Sequence, residues 1–295
     1  MYDLAALYEA KSAEDAVRLR LEHPEAQIIA GGTDVLVQMR EGRRAGKALI
    51  SIQKLDDLRE IRQEADGTLR IGSLMTFSHI TKHPLIQRHL LVLGEAVDQI
   101  GGPQIRNVGT IGGNTCNGVT SADSASTLLA YDAVVELLGK NGKRLLPLRE
   151  FYIKAGVVDL RAEEGEIQTA LLIPRDSYEN TNGFYIKYAM RNAMDIATLG
   201  TSVNARLSPD KKTFERVRIA FGVAGPVPLR AETAEAFAAG KPVSEASIEV
   251  IAKTVLQDIH PRDSWRASKA FRSHIAVECT ARALTQCVKR CGGDV

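Results

Sequence analysis

The sequence is poor in the features that assign a chain quickly. It holds four cysteines, Cys116, Cys279, Cys287 and Cys291, with no Cys-x-x-Cys pair and no ferredoxin-like run, which disfavours an iron–sulfur ligand set. Three of them fall in a helix-like C-terminal stretch at spacings of eight and four residues, on adjacent helical positions, where a free thiol serves as a small apolar side chain. Neither sign of charge dominates. Lys+Arg number 38 against 36 for Asp+Glu, a net charge of +2, which removes the general electrostatic argument for nucleic acid or a membrane surface. No apolar run is long enough to span a bilayer, and Met1-Tyr2-Asp3-Leu4 has neither the basic start nor the apolar core of a signal peptide. A cytoplasmic location is therefore the default expectation. Gly-x-Gly-x-x-Gly, Walker and His-Glu-x-x-His sequences are all missing, and no Ser-His-Asp or Cys-His arrangement can be proposed. His23, His79, His83, His89, His260 and His274 read as surface or structural residues.

What is present is an ordinary globular composition, 44% hydrophobic and 25% charged over 295 residues, enough for two domains or three. Ser12 caps a predicted helix to Leu21. A short strand at Ala26–Ala30 is stopped by Gly31-Gly32, and a helix follows over Asp34–Arg40. Strands are predicted at Ala48–Ile52, Leu69–Gly72 and Val134–Leu138, with hairpin turns at Asp66-Gly67 and Lys140–Lys143. Helices are predicted over Thr76–Thr81, Leu85–Ile100 and Asp123–Ala130, and Ile105–Asn114 reads as loop or short strand. The polar, turn-rich stretch Pro174–Gly183 marks a boundary. Beyond it, strands at Phe184–Met190, Thr201–Leu207 and Val217–Val223 precede helices at Ala231–Ala239, Glu245–Leu256 and Ser268–Lys289. Three strands and then helices imply an α+β unit with helices on one face of a small antiparallel sheet.

Two glycine segments stand out, Ala30-Gly31-Gly32-Thr33-Asp34 and Thr110-Ile111-Gly112-Gly113-Asn114, the latter followed by Asp123. Glycine accepts positive φ and lets a diphosphate approach the backbone, and a helix start adds free N–H donors. Thr33 and Asp34 are candidate caps for the helix that follows. Thr110 and Asn114 add side-chain donors, and Asp123 is a candidate acceptor for a hydroxyl. Each segment alone also reads as an ordinary turn; two in one region favour a shared ligand. Lys187, Tyr188, Arg191 and Asp195 read, on pattern alone, as a polar strand face.

The run Gly102-Pro103-Gln104-Ile105-Arg106-Asn107-Val108-Gly109-Thr110-Ile111-Gly112-Gly113-Asn114, with Ala30–Asp34 upstream and Lys187–Ala197 downstream, resembles the flavin subunits of the molybdenum hydroxylases. That family includes xanthine dehydrogenase flavin subunits and the medium subunit of carbon monoxide dehydrogenase, and the resemblance covers nearly the whole chain. It is most marked for bacterial xanthine dehydrogenase flavin subunits. It implies an FAD-binding region of two α+β subdomains of the vanillyl-alcohol oxidase type over residues 1–176, then a C-terminal α+β domain over 184–291. It implies FAD contacts from Gln27, Ile28, Ile29, Ala30, Gly31, Gly32, Thr33 and Asp34 in the first loop. Gly109, Thr110, Ile111, Gly112, Gly113 and Asn114 form the second. Asp123 is implied as a polar contact, Ile100 as an apolar one, Ile167 and Gln168 as a strand touching FAD through its backbone, and Lys187, with Phe184, beside the flavin.

The implied activity is electron transfer from 2Fe-2S clusters on a small partner subunit, through FAD, to NAD⁺, while a large partner with molybdopterin hydroxylates a purine. The protein's share of that chemistry is binding and tuning the flavin. A carbon monoxide or nicotinate-type partner set with another acceptor is the alternative in the same class. A scaffold subunit with no redox role is the alternative in a different one. Two departures are visible. Some members carry paired arginines after the lysine, where this chain has Arg191-Asn192, and the iron–sulfur insertion of some relatives is missing.

Overall fold

In the computed structural model, which describes residues 3–295, the chain begins with a small parallel unit. Strand β1 (Leu4–Glu9), helix α1 (Ala13–Glu22), β2 (Gln27–Ile29), α2 (Val35–Arg40) and β3 (Lys47–Ser51) alternate, and the sheet order is β1-β3-β2. Helix α1 starts where the sequence signals it: Ser12 is extended and its hydroxyl accepts from the Asp15 N–H at 3.1 Å. Its apolar face, Ala16, Val17 and Leu19, joins Ile50, Ile52 and Leu74 in one core.

The next unit is antiparallel. Strands β4 (Ile61–Gln63) and β5 (Leu69–Gly72) form the predicted hairpin, with Gly67 at φ +87°. Helices α3 (Phe77–Lys82), α4 (Pro84–His89), α5 (Leu91–Val97), α6 (Pro103–Val108), α7 (Ile111–Asn117) and α8 (Asp123–Ala130) follow. Then come β6 (Val134–Gly139), β7 (Gly142–Pro147), α9 (Leu148–Phe151), β8 (Tyr152–Lys154), β9 (Val157–Val158) and β10 (Ile167–Ile173). The five-stranded sheet has the order β4-β5-β10-β6-β7. Helix α10 (Arg175–Tyr178) leads out of it.

The last unit is a meander of β11 (Asn182–Tyr188), β12 (Leu199–Leu207), β13 (Phe214–Gly222) and β14 (Leu229–Arg230). It is followed by α11 (Glu232–Ala238), α12 (Glu245–Thr254) and α13 (Lys269–Arg290). Helix α13 lays Ala276, Cys279, Ala283, Leu284, Cys287 and Val288 on this sheet, so its cysteines act as small core side chains. Both α13 and α8 pack on β12, which is buried along nearly its whole length. No described helix is long and apolar enough to cross a membrane.

Two expectations change, and one element is new. The single helix over Leu85–Ile100 is two helices, because fully buried Leu90 leaves helical geometry (φ −130°, ψ 39°) to turn its side chain into the core. The segment Ile105–Asn114 is mostly helical: Gly102 and Pro103 start α6, and Thr110 starts α7 by accepting from Gly113 N–H at 3.1 Å. Strand β1, which no expectation covered, pairs in parallel with β3 as an edge.

Candidate functional site

The first glycine segment leaves β2 at the edge of the parallel sheet. Gly32 sits at φ +73°, and the chain then closes into α2 through Leu36 N–H to Gly32 O and Gln38 N–H to Asp34 O. No backbone N–H of Gly31, Gly32, Thr33 or Asp34 donates to another described residue. Consecutive free N–H groups in such a turn make a concavity for an anion. The expected capping is not what is found. Asp34 is already in helical geometry without a side-chain cap, and its carboxylate accepts from Gln38 Nε2 instead. With α2 only six residues long, the loop itself supplies the donors rather than a helix dipole.

The second glycine segment works differently from expectation. Four of its N–H groups are spent inside the protein: Ile111 to Met75 O and Gly112 to Ser73 O at 2.9 Å, Gly113 to Thr110 Oγ1, and Asn114 to Thr110 O at 3.0 Å. Gly112 is required by packing, since a Cβ there would meet Ser73 Cβ at 2.5 Å and Ser73 O at 2.7 Å. Gly31 is required by the other segment, since its Cβ would stand 1.8 Å from Val108 O. The two segments are thus fitted backbone to backbone, one offering free donors and the other a wall without side chains.

Between them lies a cavity of about 320 Å³. Of the expected residues, Gln27, Ile28, Ala30, Gly31, Gly32, Thr33, Asp34, Ile100, Gly109, Thr110, Gly112, Gly113, Asn114, Ile167 and Gln168 line it. Ile29, Ile111, Asp123, Phe184 and Lys187 do not. The sequence reading missed Arg20 on α1, Arg44 after α2, Ser73 and Phe77 around the start of α3, and Asn117 at the end of α7. Each reaches the wall through tertiary packing, and none carries a local motif.

Two buried polar atoms on the wall are without partners. Gln168 is 4% exposed; its Oε1 accepts from Thr115 Oγ1 at 2.7 Å and Cys116 Sγ at 3.1 Å, while its Nε2 has no acceptor. Ser73 Oγ is likewise unpartnered. Both atoms are closed to solvent, so each is an unmet packing cost rather than a donor open to the cavity. Among the described residues no cluster of His, Cys, Asp or Glu is placed to hold a metal ion.

Asp123, Tyr185 and Lys187 form a buried group where α8 meets β11. Tyr185 donates its hydroxyl to Asp123 Oδ1 at 2.7 Å, and Lys187 Nζ donates to Asp123 Oδ2 at 2.8 Å and to Gln99 O at 2.9 Å. Burial raises the Asp123 carboxyl above its ordinary range, against the pull of Lys187 and Tyr185. Burial, with Asp123 beside it, pushes the Tyr185 phenol well up, so it stays a donor. Gln99 precedes the cavity-lining Ile100 in the chain, while Asp123, Tyr185 and Lys187 themselves lie outside the lining.

The family described as the FAD binding domain in molybdopterin dehydrogenase matches residues 3–176, and the CO dehydrogenase flavoprotein C-terminal domain matches residues 184–287. The chain belongs to the flavin subunits of the molybdenum hydroxylases. It is 43% identical over 295 residues to the xanthine dehydrogenase FAD-binding subunit of Escherichia coli O157:H7, covering 100% of both chains. To the nicotinate dehydrogenase FAD-subunit of Eubacterium barkeri it is 32% identical, over 87% of this chain and 88% of that one. The carbon monoxide dehydrogenase of Hydrogenophaga pseudoflava superposes with a TM-score of 0.92 at 29% identity, covering 99% of each chain. The cavity suits the FAD of this family. The FAD binding domain that matches residues 3–176 contains every residue lining this cavity.

Proposed function

We propose that this flavin subunit takes electrons from iron–sulfur clusters on a small partner subunit and delivers them to NAD⁺. The enzyme it serves oxidises xanthine at a molybdopterin on a large partner. One observation carries the FAD assignment: the Gly31–Asp34 N–H groups, which donate to no described residue, belong to a loop that lines one cavity together with Gly112 and Gly113. Full-length similarity to a xanthine dehydrogenase FAD-binding subunit supports the choice of substrate class.

Bound FAD supplies the exchange between one-electron and two-electron carriers. The chain's own residues bind and tune it. The Gly31–Asp34 amides hold the diphosphate charge. Thr110 and Asn114 add side-chain polar groups on the facing wall, Asn114 being fixed by Ser124, whose hydroxyl donates to its Oδ1 at 2.6 Å. Phe77, Ile100 and Ile105 exclude water from the ring end. Lys187, held by Asp123 and the Gln99 carbonyl, places a cation against the residue before Ile100, where it favours negative charge and so raises the potential of the bound ring.

The test is co-expression with the two partner subunits, release of the flavin, and assay with xanthine. Stoichiometric FAD and NADH formation on xanthine are the expected results. FAD that reduces on xanthine but serves only a quinone or dye overturns the acceptor. A complex turning over only nicotinate or carbon monoxide overturns the substrate. A folded, colourless complex that takes up no added FAD overturns the cofactor role and leaves the scaffold.

A further inference from the structure

Helix α13 ends on two thiols one turn apart. Cys287 is fully buried, and Cys291, where the helix stops, is half-buried. Both face one rung of the third sheet, where Asn182 of β11 pairs with Ala205 of β12. Cys287 Sγ lies 2.9 Å from Asn182 O, Cys291 Sγ lies 3.5 Å from Ala205 O, and the two thiols are within hydrogen-bonding reach of each other. Cys279 stands two helical turns before Cys287, and Cys116 packs against another core, so neither has a thiol at this range.

The half-buried member is the reactive one. When Cys291 loses its proton, the Cys287 thiol donates to the thiolate. That contact, with the Asn182 backbone and the Lys211 ammonium, holds Cys291 below the ordinary thiol range against its partial burial. The same contact and burial push the Cys287 thiol well up, so it keeps its proton. Burial alone pushes Cys116 up to about 12 and Cys279 up to about 11, which leaves both inert.

The last turn of α13 also carries Arg290, which bonds Glu95 on α5 and Gly183 O, next to the Asn182 carbonyl that Cys287 touches. Four helical residues rise about 6 Å, inside the roughly 4.4–6.8 Å that a disulfide allows between Cα atoms. The Cβ atoms of such a pair stand about 5–6 Å apart, whereas a disulfide needs about 3.5–4.5 Å. Closing the pair therefore opens the turn, which is held by Cys291 N–H to Cys287 O at 2.9 Å and ends in Gly292 at φ +77°.

We propose that Cys287 and Cys291 form a peroxide-sensitive dithiol, and that its closure to a disulfide opens the last turn of α13 and takes Arg290 off Glu95 and Gly183. The Cys291 thiolate attacks one oxygen of hydrogen peroxide and the O–O bond breaks, leaving a sulfenic acid and a hydroxide that takes up the proton Cys291 released. The Cys287 sulfur then attacks the Cys291 sulfur, the S–O bond breaks, and hydroxide leaves as water with the Cys287 proton. Two electrons pass from the two sulfurs to the peroxide, and two waters form. The device lies in α13 and the third sheet, and it does not depend on what fills the cavity.

The experiment treats the reduced, purified full chain with hydrogen peroxide, removes the excess with catalase, and digests it with trypsin without reductant. The expected product is a crosslink between the peptides Ala283–Lys289 and Cys291–Val295, lighter by two hydrogens than their sum, with Cys116 and Cys279 still free. Hydrogen exchange at the end of α13 is expected to speed at least tenfold on oxidation and to return with dithiothreitol. Cys291→Ser is expected to show neither change. In Cys287→Ala, dimedone is expected to trap Cys291 as its sulfenic acid; if that variant does not fold, wild type and Cys291→Ser decide. The proposal is overturned if Cys287 and Cys291 stay reduced or oxidise without joining. A crosslink found only between two chains, or one that leaves exchange unchanged, overturns it as well.

Discussion

A Cβ on residue 31 would stand 1.8 Å from the carbonyl oxygen of Val108. The loop with free amides and the loop that faces it are in backbone contact at that point, so the width of the cleft is set by the missing side chain. Gly31→Ala must separate the two loops. It is expected to cost about 1–3 kcal/mol of stability and to empty the site of FAD. A melting curve together with released-flavin absorbance checks both. Gly113→Ala, whose Cβ would meet only Thr110 Oγ1 at 2.9 Å, is expected to retain more flavin than Gly31→Ala.

Lys187→Met leaves Asp123 buried without its cation. The pair is nearly enclosed, with side chains 7% and 8% exposed, and breaking such a pair costs about 3–5 kcal/mol. The sign of the pH dependence follows from Asp123, whose folded carboxyl lies above its ordinary range because of burial. A raised carboxyl binds its proton more readily folded than unfolded, so stability falls as pH rises from the unfolded value toward the folded one. Losing Lys187 raises the folded value further. The variant is expected to melt far below wild type at pH 7.5, and the gap is expected to narrow as pH falls toward about 4. Melting curves at both pH values decide; a gap independent of pH rules this account out.

Arg272 is 2% exposed and donates only to neutral acceptors. These are Thr198 O at 3.2 Å, Ala267 O at 3.2 Å, Ser264 Oγ at 2.8 Å, and Arg262 O. It ties the segment before α13 to the residue just ahead of β12. The chain's single tryptophan, Trp265, rides on that segment with Arg266 over its ring. Arg272→Met is expected to lower Trp265 fluorescence anisotropy and to speed tryptic cleavage after Arg262 and Arg266 by roughly tenfold, an opening cheaper by about 1.4 kcal/mol.

Arg290 grips Glu95 with two bonds of 2.8 and 2.9 Å, and it also donates to Gly183 O at 3.0 Å. The pair is partly open, at 29% and 34% exposed, so its coupling is expected to be about 0.5–1 kcal/mol. A double-mutant cycle of Arg290→Met and Glu95→Gln measures it, and the value is expected to shrink in high salt.

The sequence was readable where signals are local. Ser12, Asp66-Gly67 and the three strand-like runs after residue 183 mark elements that form, the strands with bounds shifted by a few residues and a short fourth one, β14, added. The glycine segments were legible as a site, and their division of labour was not. That Gly112 N–H is consumed by Ser73 O, or that Gly31 faces Val108, depends on residues tens of positions apart. Arg20 and Ser73 were invisible for the same reason, since nothing on α1 or after β5 announces a cavity. Thr110 was the reverse case. Its position three residues before Gly113 is a cap signal that was there to be read, and α7 follows from it.

Tyr185 and Ala220 belong to strands of the last sheet, yet their side chains sit in the core of the five-stranded unit. Dividing the chain between residues 176 and 184, where the two family matches part, would strip Asp123 of its phenol and its ammonium together and bare the apolar wall of α5 and α8. Anyone transplanting the flavin pocket into another assembly must carry the third sheet along with it. Recombination between relatives at this junction should succeed only when both sides of the seam travel as a pair.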